Sequence, residues 1–214
     1  LSREAVEWMD ANNPVAADST TYGARLKRLT EGITDADGLP LNFKVYLVTD
    51  VNAFACGDGS IRVFAALMDL MDDDELMAII GHEIGHVVHA DTKHAMKNAY
   101  LASAARNAAG AAEGSALARL SESQLGKVVA AFIDAQFSQK QEYEADEHGF
   151  EFCVKHGFDP YGMTNSLNKL VELSKGAKAS TVQKMFSSHP DSEKRAARMK
   201  EKADAYMAAQ RQNR

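Results

Sequence analysis

Residues 72–88 carry a helical pattern that constrains the fold more than any other part of the chain. Asp72 and the three acidic residues after it place negative charge where the N-terminus of a helix favours it. Beyond them, apolar residues recur three and four positions apart, namely Leu76, Ile79, Ile80, Ile84, Val87 and Val88. This spacing predicts an amphipathic helix with a broad buried face. Hydrophobic residues make up 45% of the 214-residue chain, which is enough for a sizeable core around it.

Two histidines and a glutamate lie in the middle of this predicted helix, at His82, Glu83 and His86. Residues four apart share one face of a helix, so both imidazoles can reach one ion at about 2.0–2.1 Å. Glu83 would then lie near the open side of the ion, where it could hold and deprotonate a water. The alternative is three polar residues on a solvated face, but the surrounding apolar pattern favours a metal site.

The third ligand has to come from another segment. His89 lies seven residues from His82, about 10.5 Å along a helix axis, so one ion cannot be bound by both together with His86. The metzincin pattern would need Gly at 89 and His at 92, where this chain has His89 and Thr92, so that class is excluded. We interpret His89 and His94 as surface or outer-layer residues.

Residues 141–149, QEYEADEHG, offer better candidates. Glu142 and Asp146 are four apart, so Glu142 can bind the metal while Asp146 accepts a hydrogen bond from a ligand histidine. Two histidines and one carboxylate leave a fourth position to water, which is typical of a catalytic zinc site. The alternative is a solvated, charged helix face.

The other patterns predict a mostly helical α+β fold in a single domain, with a small β-sheet beside the metal-binding helix. Residues 41–50 are strand-like, and two extended runs around the Gly57-Asp58-Gly59 turn predict a hairpin. SESQ at 121–124 has the form of a capping box and opens a predicted helical stretch that reaches His156. We expect residues 180–190 to form a loop and residues 191–210 a charged helix.

Composition limits the partners. The net charge is −6 and no basic stripe stands out, which argues against a nucleic-acid partner. Residues 101–120 are rich in small side chains but contain charged ones, so we expect no membrane span there. Cys56 and Cys153 are either one disulfide of an exported protein or two buried thiols. The chain begins at Leu1, so we expect a processed or trimmed form, and a lipid anchor lost with the N-terminus would have added membrane association.

On these residues the chain resembles the HtpX-type zinc metalloendopeptidases, a family that includes the CAAX prenyl endoproteases. The resemblance lies in residues 41–71, GHEIGH at 81–86, AQFSQKQEYEAD at 135–146 and MFSSHP at 185–190. It implies one Zn²⁺ per chain, and its H-E-x-x-H and E-x-x-x-D patterns imply roles for five residues: His82, His86 and Glu142 as ligands, Glu83 as general base and Asp146 behind the ligands. It also implies one metallopeptidase domain over 1–214, with 1–19 as an N-terminal extension or helix, 20–200 as the catalytic core and 201–214 as the end of the C-terminal helix.

The resemblance further implies that His189 and Arg195 approach the active site. There, a cationic or donor side chain would stabilise the oxyanion of a tetrahedral intermediate. In some relatives this loop blocks the metal, so His189 would be an inhibitory fourth ligand at rest. The alternative is that His189 merely precedes Pro190 at the start of a helix.

The implied activity is hydrolysis of unfolded or extended polypeptides by a zinc-activated water, in the periplasm or at the outer membrane of a bacterium. An edge strand containing Asn52, Ala53 and Phe54 could bind such a chain through its backbone, although these residues could equally be plain core strand. A hypothesis of another class is a protein-binding or chaperone-like module with a blocked zinc site. Glu83 favours the enzyme, because a structural site has no need of that carboxylate.

Overall fold

The computed structural model describes residues 1–108 and 120–214, which form helices around a small mixed sheet and confirm the α+β class. The helices are α1 (Ser2–Asn12), α2 (Thr21–Leu29), α3 (Ala65–Leu70), α4 (Asp73–Val88), α5 (Asp91–Ala108), α6 (Glu122–Ile133), α7 (Gln139–His156), α8 (Gly162–Ser174), α9 (Ala179–Ser188) and α10 (Ser192–Gln212). The strands are β1 (Asp35–Ala36), β2 (Leu39–Pro40), β3 (Asn42–Tyr46), β4 (Ala53–Ala55) and β5 (Ser60–Phe64).

The main sheet has three strands in the order β3-β5-β4, with β5 in the centre. Strands β4 and β5 pair antiparallel, which confirms the predicted hairpin, and Gly59 turns between them with a positive φ of 91°. Strand β3 runs parallel to β5. As a result β4 lies at one edge of the sheet, and it packs against α4.

Helix α4 begins where the acidic run predicts. Asp72 accepts from the backbone N–H of Glu75, and the Glu75 carboxylate accepts from the backbone N–H of Asp72, which completes a capping box. Nearly every residue of the helix is buried, more than an amphipathic surface helix would need, because the sheet, α7 and α8 all contact it.

Glycines let α4 and α7 approach closely. A Cβ atom on Gly85 would lie 2.8 Å from the Cβ atom of His148 and 3.2 Å from the Cα atom of Ala145. A Cβ atom on Gly149 would lie 2.8 Å from the carbonyl oxygen of Ala78. The mid-helix glycine at position 85, unfavourable by itself, is therefore explained by the contact between the two helices.

Two predicted elements are wrong. The helical stretch from 121 to 156 is divided, because a second capping box at Ser138 and Gln141 starts α7 afresh after α6 ends. Residues 180–190, predicted as a loop, lie largely in α9, where Val182 and Met185 are buried in the core. His189 is thus the C-cap residue of α9, three residues before α10 begins at Ser192.

A buried charge network ties α1 to the sheet. Arg62, on the central strand, is 1% exposed and donates to both oxygens of Asp10 at 2.9 and 3.0 Å. The Tyr46 hydroxyl donates to the same carboxylate at 2.6 Å. Burial would raise the pKa of Asp10, but the hydrogen bonds from Arg62 and Tyr46 outweigh it and hold that pKa below its usual value.

Both cysteines are buried and unpaired, Cys56 beneath α1 and Cys153 on α7. Burial raises the pKa of the Cys153 thiol to about 12. Of the predicted small-residue segment at 101–120, residues 109–119 lie outside the described part of the chain. Over residues 1–108 and 120–214, no helix combines the length and apolar character that crossing a membrane requires.

Candidate metal centre

Three side chains from two helices converge where α4 crosses α7. His82 and His86 project from α4, and Glu142 projects from the first turn of α7. The His82 Nε2 atom lies 3.1 Å from His86 Nε2 and 3.3 Å from Glu142 Oε2. His86 Nε2 lies 3.2 Å from the other oxygen of Glu142, Oε1.

These separations suit one small divalent ion. Donors placed about 2.0–2.1 Å from an ion at tetrahedral angles stand about 3.3 Å from one another. The charges agree, since Glu83, Asp91, Glu142 and Asp146 are each at most 5% exposed. Among the described residues, Arg195 is the only permanent cation that contacts these four carboxylates. Buried anions in such excess need a cation, so the residues present fit a metal.

The outer nitrogen of each histidine is held by a carboxylate. The Nδ1 atom of His82 is 2.8 Å from Asp146, and the Nδ1 atom of His86 is 2.8 Å from Asp91. With Nδ1 as the donor of each neutral imidazole, both Nε2 atoms are left to face the donor cluster as acceptors. Sequence reasoning missed Asp91, although its position five residues after His86 is a signal that could have been tested.

The carboxylates and imidazoles of the cluster also shift one another's pKa values. Burial lowers the pKa of His82, but Glu142 and Asp146 outweigh it and raise that pKa to about 10. Burial would raise the pKa of Glu142, but His189 and His82 outweigh it and hold that pKa well below its usual range. Glu142 is thus a charged acceptor directed at the imidazoles of His82 and His86.

His189 occupies the fourth side of the donor cluster. Its Nδ1 atom lies 3.0 Å from Glu142 Oε1 and 3.4 Å from His82 Nε2. Ligand atoms of His82, His86, Glu142 and His189 all lie within 4.8 Å of one another. The other ring nitrogen of His189, Nε2, is 3.3 Å from Glu83 Oε1. The two atoms are close enough for a hydrogen bond but are not aligned for one, so Glu83 Oε1 has no hydrogen-bond partner.

Arg195 lies behind Glu142 and Asp146. It donates to both oxygens of Asp146, at 2.8 and 2.7 Å, and its Nη1 atom is 3.1 Å from Glu142 Oε2. Nη1 also donates to the backbone carbonyl of His189 at 3.0 Å. The guanidinium thus connects the two carboxylates of α7 to the residue that closes the cluster.

Edge strand β4 faces the same region. A small cavity of about 20 Å³ separates Asn52, Ala53 and Phe54 from Glu83, with Phe137 and His189 on its other walls. The ring of Phe137 stacks on that of His86 with 3.9 Å between centroids. The structure therefore brings Asn52, Ala53 and Phe54 close to Glu83 and His189.

Two histidines one helical turn apart, a carboxylate from a second helix and an acidic side chain beside them define a metallopeptidase type of centre. The family model of peptidase family M48 matches residues 22–203. The chain therefore belongs to peptidase family M48 and is a metalloprotease, which confirms the family resemblance and the enzyme class predicted from its motifs.

Curated relatives agree with this assignment. The chain is 39% identical to the metalloprotease LoiP of Escherichia coli (strain K12) over 206 residues, covering 96% of this chain and 80% of LoiP. It is 30% identical to the beta-barrel assembly-enhancing protease of Yersinia pestis over 201 residues, covering 86% of this chain and 39% of that protein. Identity to an HtpX protease homologue of Salinibacter ruber is 29% over 178 residues, 71% of this chain and 64% of the homologue.

Proposed function

We propose that the protein is a zinc-dependent metalloendopeptidase that hydrolyses peptide bonds of unfolded or misfolded polypeptides. His82, His86 and Glu142 would hold one Zn²⁺ per chain. The observation that carries the proposal is the convergence of these donors: the two Nε2 atoms are 3.1 Å apart, each lies 3.2–3.3 Å from a different oxygen of Glu142, and Glu83 is next to them. The proposal takes residues 1–214 as one metallopeptidase domain.

The metal and Glu83 would have different roles in the hydrolysis of a peptide bond. When bound, zinc lowers the pKa of water at the site and polarises the carbonyl of a bound peptide. Glu83 would accept the proton of the attacking water at its Oε1 atom, which is buried and has no hydrogen bond. The same carboxyl group would then pass that proton to the nitrogen of the departing amine.

Strand β4 would bind the substrate through its backbone. The hydrogen bonds from Phe64 N–H to the Asn52 carbonyl and from Cys56 N–H to the Ser60 carbonyl fix which residues face β5. Because antiparallel pairs alternate, the outward polar groups of the strand belong to Ala53 and Ala55. The Ala53 N–H is already taken by the side chain of Asn52 at 2.9 Å. Pairing would therefore use the Ala53 carbonyl and both polar groups of Ala55, and Phe54 would contribute its side chain.

The closed arrangement of His189 supports a resting state in which this residue fills the fourth position. Productive binding would need the turn between α9 and α10 to move, and His189 and Arg195 would then be available to stabilise an oxyanion. The same closure is what the alternative, a binding module with a blocked site, would also show. Activity is the property that separates the two.

The proposed location is the periplasm or the outer membrane of a bacterium. It is supported by the resemblance to relatives that include a protease named for β-barrel assembly. The proposed partners are extended polypeptides, with no nucleic acid, in keeping with the net charge of −6.

The test is casein degradation by the parent and by Glu83→Gln, with zinc content measured on both. We expect the variant to keep its zinc and lose turnover, because an amide cannot take the proton of the water. Glu144→Gln is the matched control, since Glu144 lies on α7 and its ion pair with Lys140 is exposed. Equal turnover by Glu83→Gln and the parent would refute the mechanism, and zinc-loaded protein without any turnover would support the binding module.

A further inference from the structure

Asp91 lies at the sharp turn between α4 and α5. Its Oδ2 atom lies 2.8 Å from His86 Nδ1, and its Oδ1 atom accepts from Gln141 Nε2 at 3.1 Å. Asp91 is 5% exposed and His86 is fully buried. Both oxygens of this carboxylate are therefore used, one by a side chain of α4 and the other by a side chain of α7.

The backbone is strained to place Asp91 there. Ala90, which joins the two helices, has a φ of 62°, in the left-handed region that a residue with a Cβ atom rarely adopts. The strain lets α5 begin immediately after α4 ends, with Asp91 directed back at His86. A turn chosen only for connectivity would place glycine or asparagine at this position.

Gln141 has its orientation fixed from the other side. Its Oε1 atom accepts from the backbone N–H of Ser138 at 2.8 Å in the capping box of α7. The Nε2 atom, the remaining end of the amide, then has to donate, and Asp91 is the acceptor it meets. Because Glu142 is the next residue, the same turn of α7 carries both Gln141 and the third donor of the metal centre.

On this geometry we propose that Asp91 is a positioning residue of the metal centre, which fixes His86 and the first turn of α7 relative to each other through Gln141. The inference rests on the proposed zinc site. A carboxylate is required, because both partners donate and only an acceptor with two free oxygens can satisfy both. Asparagine could accept from His86, but its NH₂ group would then face the NH₂ group of Gln141.

The experiment measures the affinity for Zn²⁺ by competition with a chromophoric chelator, and the absorption spectrum of the Co²⁺-loaded protein. Carboxylates behind a ligand histidine usually contribute about 10–100-fold to metal affinity. We expect a loss in that range for Asp91→Ala and a smaller one for Asp91→Asn, with altered Co²⁺ spectra. Glu144→Gln serves again as the matched surface control and should bind as the parent does.

A second variant separates positioning from general stability. Gln141→Glu keeps an acceptor for Ser138 and so keeps the capping box, but it cannot donate to Asp91. We expect circular dichroism like that of the parent, with weaker Zn²⁺ binding and a lower kcat at an unchanged KM.

The outcomes distinguish this inference from the proposed function. Parent protein that binds no Zn²⁺ would overturn both. Parent protein that binds Zn²⁺, with Asp91→Ala and Gln141→Glu binding it as tightly, would overturn the positioning role alone and leave the zinc site standing. Should Asp91→Ala fail to fold, unchanged affinity in Gln141→Glu would still overturn it.

Discussion

Replacing Gly85 by alanine tests whether the close approach of α4 and α7 forms the metal centre. The new Cβ atom would lie 2.8 Å from the Cβ atom of His148 and 3.2 Å from the Cα atom of Ala145. Carbon atoms in contact prefer about 3.5–4.0 Å, so α7 has to retreat by about 0.7 Å or more at this level. Both contact atoms belong to or adjoin the backbone, so a rotamer change cannot relieve the clash.

The cost in stability should be small compared with the cost in function. Overpacking costs about 1–3 kcal/mol, and the helix propensity of alanine over glycine returns about 1 kcal/mol. Glu142 lies one turn before Ala145, so the retreat carries it away from the histidines. A displacement of about 1 Å at a reacting centre can cost about 100-fold in rate. We therefore expect Gly85→Ala to fold, with a strong loss of Zn²⁺ affinity and of casein turnover.

Gly81→Ala is the matched control. Its Cβ atom would lie 2.8 Å from the side chain of Phe152, so the overpacking is similar. Phe152 is ten residues beyond Glu142, about 15 Å along α7, so the displacement of α7 falls far from Glu142. Each glycine immediately precedes a ligand histidine on α4, so a local effect on that histidine is common to both variants. Urea denaturation and chelator competition measure the two effects separately. Equal Zn²⁺ affinity in parent and Gly85→Ala would refute the reasoning, and so would equal losses of affinity in both glycine variants.

Two further perturbations follow from other contacts. Asp10→Asn removes the charge that pairs with buried Arg62, and breaking such a pair costs up to about 3–5 kcal/mol. Folding lowers the pKa of Asp10 from its ordinary value of 3.8. The ionised Asp10 carboxylate therefore stabilises the folded protein fully at pH values above 3.8, and this stabilisation is lost as the pH falls through the lower pKa of the folded state. Urea denaturation should show that the free energy of unfolding of the variant is lower than that of the parent at neutral pH, and that this difference becomes smaller in acid. A difference in unfolding free energy that does not depend on pH would contradict the prediction. His189→Ala removes the donor beside Glu142 and should speed the release of zinc to a chelator, whereas an unchanged release rate would show that His189 does not hold the metal.

The elements that sequence predicted best are those specified by neighbouring residues. Asp72 and Glu75 cap α4 through contacts three residues apart, and the pairing of His82 with His86 follows from helical spacing alone. The division between α6 and α7 was missed although the signal was present, since Ser138 and Gln141 repeat the capping pattern noticed at SESQ. Residues 180–190 were predicted as a loop, but tertiary burial of Val182 and Met185 stabilises most of this segment as α9.

Other features depend on contacts between distant parts of the chain. The parallel pairing of β3 with β5 cannot be inferred from local alternation, which gives a strand but not its neighbour. Asp91 reaches His86 only because Ala90 adopts a left-handed conformation, which alanine gives no reason to expect. Closure of the centre by His189 depends likewise on how α9 packs, which the sequence alone does not specify.

Zinc content is the most direct test of the central claim that His82, His86 and Glu142 bind one ion. The purified parent and Glu142→Gln would be dialysed against the same buffer and measured by elemental analysis, with Glu144→Gln as control. We predict one zinc per chain in the parent and in the control, and little in Glu142→Gln. Stoichiometric zinc in Glu142→Gln, or none in the parent, would contradict the account.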